Sequence, residues 1–112
     1  MNKDYVAVLI SENTSDSPEY ETLYEETILL ISAASLEEAT AKAHEYGKKS
    51  EQTYVSAAGY RITTRLHKVE DVNETLGIVD GDITEVNARY FRDLDAYQKF
   101  REVLNEEELT HK

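Results

Sequence analysis

Apolar runs along this chain come in two kinds, unbroken and alternating, and each predicts its own element. Residues 5–10 (YVAVLI) are apolar without a break, which predicts a strand lying centrally in a sheet or covered on both faces. Residues 11–21 collect Ser, Asn, Asp and the only proline, which favour turns and predict a loop. Residues 22–33 (TLYEETILLISA) read as a second strand, and the short link makes antiparallel pairing with the first the simplest arrangement.

Ser35-Leu36-Glu37-Glu38 then forms a capping box, in which the serine hydroxyl serves the amide of Glu38 while the glutamate reaches back. A helix is expected from here. Leu36, Ala39, Ala43 and Tyr46 recur at helical spacing, Glu38/Lys42 and Glu45/Lys49 are favourable i,i+4 pairs, and Gly47 is expected to end the helix in the left-handed conformation. Residues 60–69 alternate for most of their length. This places Tyr60, Ile62 and Leu66 on one face and Arg61, Thr63, Arg65 and His67 on the other, a half-buried third strand.

Residues 70–82 are expected to form a loop ending in the Asp80-Gly81 turn signal, and residues 83–91 a fourth strand. Its alternation sets Thr84, Val86, Ala88 and Tyr90 opposite Glu85, Asn87 and Arg89. Leu94, Tyr97, Phe100, Val103 and Leu104 predict a second helix, capped by Asp93 or Asp95, with residues 106–112 fraying. The order β-β-α-β-β-α argues for the α+β class: a single domain over residues 1–112, with a four-stranded antiparallel sheet and both helices on one side.

Composition narrows the chemistry. The chain has no cysteine, so a disulfide framework, a thiolate zinc site, an iron–sulfur cluster and a cysteine nucleophile are all excluded. The formal charge is -11, which disfavours nucleic acid and anionic membranes as partners. Its layout is uneven: residues 4–41 hold nine acids and no Lys or Arg, whereas residues 60–69 hold Arg61, Arg65, His67 and Lys68 and no acid. The first apolar run is about six residues, against roughly twenty needed to span a bilayer, so the expected setting is the cytoplasm.

Residues 24–31 (YEETILLI), Ser35-Leu36-Glu37-Glu38-Ala39, Ala43, Tyr46-Gly47, Ala58-Gly59-Tyr60-Arg61-Ile62, Asp80-Gly81 and Glu85-Val86 together resemble a small bacterial family catalogued only as a domain of unknown function. The resemblance extends over roughly residues 5–91 and implies a fold and a cellular setting; it assigns no activity.

No metal or cofactor motif stands out. His44, His67 and His111 are widely spaced, and Asp71, Asn73 and Thr75 imitate a calcium loop whose glycine, Gly77, comes one position late. Nucleophile elbows and phosphate-cradling glycine loops are absent, and adjacent acids such as Glu25/Glu26 point to opposite faces of a strand and cannot act as a pair. Acid–base work by Glu26 or Glu85 is weighed against solvated acids, the commoner state in an acidic protein. No catalytic residue is assigned, and a non-enzymatic protein is expected.

The sharpest candidate site is a polar sheet face where Arg61, Arg65 and His67 meet Glu85 and Arg89 across the third and fourth strands, with Glu25 or Glu26 arriving from the second. Its bland counterpart is a cross-strand charge ladder, each pair contributing about 0.2–1 kcal/mol. The leading expectation is a module that binds a protein, and a basic one in particular, as an immunity or inhibitor protein does. The rival is a small-molecule or anion-binding domain, or a weak enzyme, on that polar face. Homodimerisation through an edge strand or the open sheet face is a third expectation.

Overall fold

In the computed structural model, which describes residues 2–75 and 82–110, the elements run β1 (Lys3–Ser15), β2 (Leu23–Ala33), α1 (Leu36–Lys49), β3 (Gln52–Val55), β4 (Arg61–Thr75), β5 (Ile83–Phe91) and α2 (Leu94–Thr110). The class is α+β as expected, but the antiparallel sheet has five strands in the order β3-β4-β1-β2-β5. The strand missed in sequence is β3. It is four residues long at the sheet edge and exposed throughout, so it leaves no apolar signature.

The unbroken run at residues 5–10 does lie in the central strand, with Tyr5, Ala7, Val8, Leu9 and Ile10 all buried. Adjacent strand side chains point to opposite faces, so a strand buried at both odd and even positions needs a cover on each side. This corrects the expectation of both helices on one side. Ala39, Ala43 and Tyr46 of α1 pack on Tyr5, Ala7, Leu9, Leu29 and Ile31, while α2 meets Glu26, Glu70 and Asp71 on the other face.

Pairing also differs. The third and fourth sequence-predicted strands, β4 and β5, do not touch: β4 pairs with β1, and β5 with β2. β1 extends to Ser15 through half of the expected 11–21 loop, since its far end pairs with β4 from Arg65 to Ile62. β4 likewise continues to Thr75, so Asp71, Asn73 and Thr75 are strand residues and not a calcium loop. Gly77 and the Asp80-Gly81 turn lie outside the described residues.

Three register shifts, at Val8/Leu9 and Ile10/Ser11 against β4 and at Ile28/Leu29 against β5, insert extra residues and help curl the sheet. At the α1 N-terminus Glu38 N donates to Ser35 Oγ at 3.1 Å, and the Glu38 carboxylate accepts from Ala34 N at 2.8 Å. Gly47 does not end the helix, which continues to Lys49 and is capped at Ser50. A Cβ at Gly47 would lie 2.8 Å from Leu66 Cδ1, so any larger residue there has to push the end of the Leu66 side chain aside. Asp93 caps α2 by accepting from Ala96 N at 2.9 Å, and the helix runs past the expected fraying point to Thr110. Among the described residues no helix is long and apolar enough to cross a membrane.

Candidate functional site

Strand alternation splits the adjacent acids Glu25 and Glu26 between the two faces of β2, and their surroundings differ accordingly. Glu26 points under α2 and is 1% exposed. A carboxylate this deep is costly unless paired, and the chain supplies its own partners. Arg89 of β5, opposite in register, donates from Nε to Oε1 at 2.7 Å with Nη2 on the same oxygen. The Tyr97 hydroxyl of α2 donates to Oε2. Burial, and then the bond to Glu26, push the Tyr97 phenol far above its ordinary range.

Around this pair the rings of Tyr97, Phe91, Tyr24 and His67 run in a row across the sheet, with centroids 4.5, 5.5 and 6.1 Å apart in turn. Farther along α2, Arg101 pairs with Asp71 at 3.1 Å and Gln98 donates to Glu70. These contacts are internal and hold the helix to the sheet.

Glu25 faces the α1 side. There the sheet continues beyond the C-terminus of α1 and leaves a groove of about 420 Å³. Its walls include Glu25, Glu85, four tyrosines (Tyr20, Tyr46, Tyr54 and Tyr90), and the polar side chains of Asn13, Gln52 and Thr64; among the described residues no Lys, Arg or His lines it. Thr27 Oγ1 donates to Glu25 Oε2 at 3.1 Å. Among the described residues neither Glu25 nor Glu85 has a salt-bridge partner, whereas Glu26, Glu38, Glu45, Glu51, Glu70, Asp71, Glu74 and Asp82 all do.

These two carboxylates, which have no ion-pair partner among the described residues, act on the neighbouring tyrosines. Glu25, then burial, then Glu85 raise the Tyr90 phenol above its ordinary value. Burial raises Tyr46, with Glu85 and Glu25 adding to it. The arrangement offers negative potential, ring faces and hydrogen-bond acceptors in a concave surface, a combination suited to a cation.

Of the residues expected to converge, the structure brings together only Glu26 and Arg89. His67 joins their surroundings through its edge contact with Tyr24. Arg61 and Arg65 are exposed on β4; the Arg61 backbone N–H donates to Asp16, and Arg65 stands opposite Glu12 in register. Two strands separate β4 from β5, about 14 Å at the usual spacing of about 4.8 Å. Glu85 leaves for the opposite face, because the register shift pairs Leu29 with Glu85 and Ile28 with Asn87, leaving Val86 as the extra residue.

Sequence reasoning placed Tyr46, Tyr90 and Tyr97 on apolar stripes and named Glu25 only as the alternative to Glu26 on the polar sheet face. The surplus of eight tyrosines was a usable signal, as was the strip of uncompensated acid that contains Glu25.

Neither curated proteins nor solved structures give a match to this chain. A family model described as a domain of unknown function (DUF4288) matches residues 4–86, a span that contains Glu25, Glu85, Tyr46 and Tyr54 of the groove and stops short of Arg89 and Tyr97. Because that match takes in most of the sequence, the chain belongs to the DUF4288 family, whose function is unknown.

Proposed function

We propose that this protein is a binding module for another protein, and that it docks a basic segment of that partner in the groove beside α1. The observation that carries this reading is a concave surface lined by Glu25, Glu85 and four tyrosines with no basic side chain among them. A groove of one sign concentrates the field, and the -11 charge of the whole chain steers a cation toward it. An inhibitor that covers the basic site of a nuclease or toxin is one concrete form of such a module. The anion-binding alternative loses support, because its cations are spread over two strands set far apart and Arg89 is already committed to Glu26.

The test is calorimetric titration with a Lys/Arg-rich peptide and an acidic peptide of equal length, at low and high salt. The basic peptide is expected to bind, to weaken with salt, and to lose most of its affinity in the Glu25→Gln/Glu85→Gln variant. Since any acidic protein attracts a basic peptide, Glu19→Gln/Glu37→Gln serves as the charge-matched control and should bind as wild type does. Equal losses in both variants, or no binding at all, would overturn the proposal.

A further inference from the structure

The two faces of β2 present the same chemistry in two states. On the α2 side Glu26 holds a guanidinium beside a phenol, with Arg89 and Tyr97 supplied by the chain itself. On the α1 side the groove that holds Glu25 and Glu85 has phenols but no basic side chain among its described lining residues. The chain also shows what its tyrosines accept: Arg92 lies over the ring of Tyr20, a groove-lining residue, at 6.0 Å from the centroid, while its Nη1 donates to the Glu21 carbonyl.

Resting on the reading of the groove as a docking surface for a basic protein, we infer that the group it takes is the guanidinium of an arginine and not the ammonium of a lysine. Guanidinium is flat and weakly hydrated, so it stacks on a ring while its forked N–H groups reach carboxylates in the same plane. An ammonium is a compact, strongly hydrated point charge and uses neither ring face nor fork as well. The groove offers both kinds of partner. Tyr54 and Tyr90 are 50% and 61% exposed, so their rings are open to a ligand; Glu25 accepts from Thr27 at one oxygen and has the Tyr90 phenol as a further hydrogen-bond neighbour.

The experiment compares two acetylated, amidated peptides that differ only in carrying Arg or Lys, so that net charge and length cancel. Binding is followed by calorimetry and by NMR shifts of the tyrosine rings. The Arg peptide is expected to bind about tenfold more tightly, with shifts at Tyr54 and Tyr90. Tyr54→Leu/Tyr90→Leu should reduce that preference to about twofold or less; both side chains are exposed, and circular dichroism verifies the fold. Equal affinities that still depend on Glu25 and Glu85 would overturn the arginine assignment and leave the groove reading standing. An arginine preference untouched by the tyrosine substitutions would overturn the stacking argument. If neither peptide binds, both this inference and the proposed function fall.

Discussion

The Tyr97 hydroxyl donates to Glu26 Oε2 at 2.5 Å, tying α2 to β2 across 71 positions of sequence. Removing one partner of a buried polar pair costs more than the bond itself contributes, because the group left behind is already out of water. Tyr97→Phe keeps the ring stack on Phe91 and deletes only the donor. It is expected to destabilise the protein by about 1–3 kcal/mol, read from urea unfolding. No change in the urea midpoint would show that water replaces the phenol at Glu26.

The Glu26–Arg89 pair is unequal in its surroundings, and this sets the order of two substitutions. The Glu26 side chain is 2% exposed and that of Arg89 59%. Arg89→Ala strands a buried carboxylate with Tyr97 alone, at a cost of about 3 kcal/mol. Glu26→Gln keeps shape and an acceptor for Tyr97, and Arg89 turns to water, so about 1 kcal/mol is expected. Thermal and urea unfolding of both variants give the order directly; a larger loss for Glu26→Gln contradicts the burial argument.

Alkaline stability follows from the raised phenols. Tyr97, and in the same direction Tyr46 and Tyr90, holds its proton more firmly folded than unfolded. Once pH passes the ordinary phenol value of about 10, the unfolded chain has lost protons that the folded one keeps, and stability falls as pH rises further. The contribution is fully present below that value. Melting curves from about pH 9 to about pH 11 should therefore decline in wild type and less steeply in Tyr97→Phe. Parallel profiles for the two proteins would remove Tyr97 from the account.

Gly47 packs tightly on two leucines, since a Cβ there would fall 2.8 Å from Leu66 Cδ1 and 3.1 Å from Leu9 Cδ2. Gly47→Leu is expected to destabilise by about 1–3 kcal/mol through overpacking, despite the better helix propensity of leucine. Leu66→Ala vacates the space, so the double variant should recover part of what the two single losses would sum to. Additive losses in the cycle would mean that the two positions do not meet.

Much of the local structure was legible in the residues themselves. Ser35 and Glu38 mark a helix start whose bonds the structure contains, Asp93 caps the second helix, and the run at residues 5–10 announces a central strand. The site was less legible. That Glu25 and Glu26 face opposite ways follows from strand geometry alone. That Glu26 meets Arg89 under Tyr97 needs β5 laid beside β2 and α2 folded back over both.

Glu85 shows where local reading ends. Strict alternation puts Glu85 and Arg89 on one face, and one register shift at Ile28/Leu29 sends them to opposite faces. The sequence by itself determined the class, the helix boundaries at their capped ends, the acidic charge and the excluded chemistries, because each depends on side chains acting on their own neighbourhood. Strand order, the bulges, the separation of β4 from β5 and the gathering of unpaired acid and tyrosine in one groove were decided only in tertiary structure. They arise from competition among distant segments for the same hydrogen-bonding edges and the same apolar faces, and no local pattern records which segment wins.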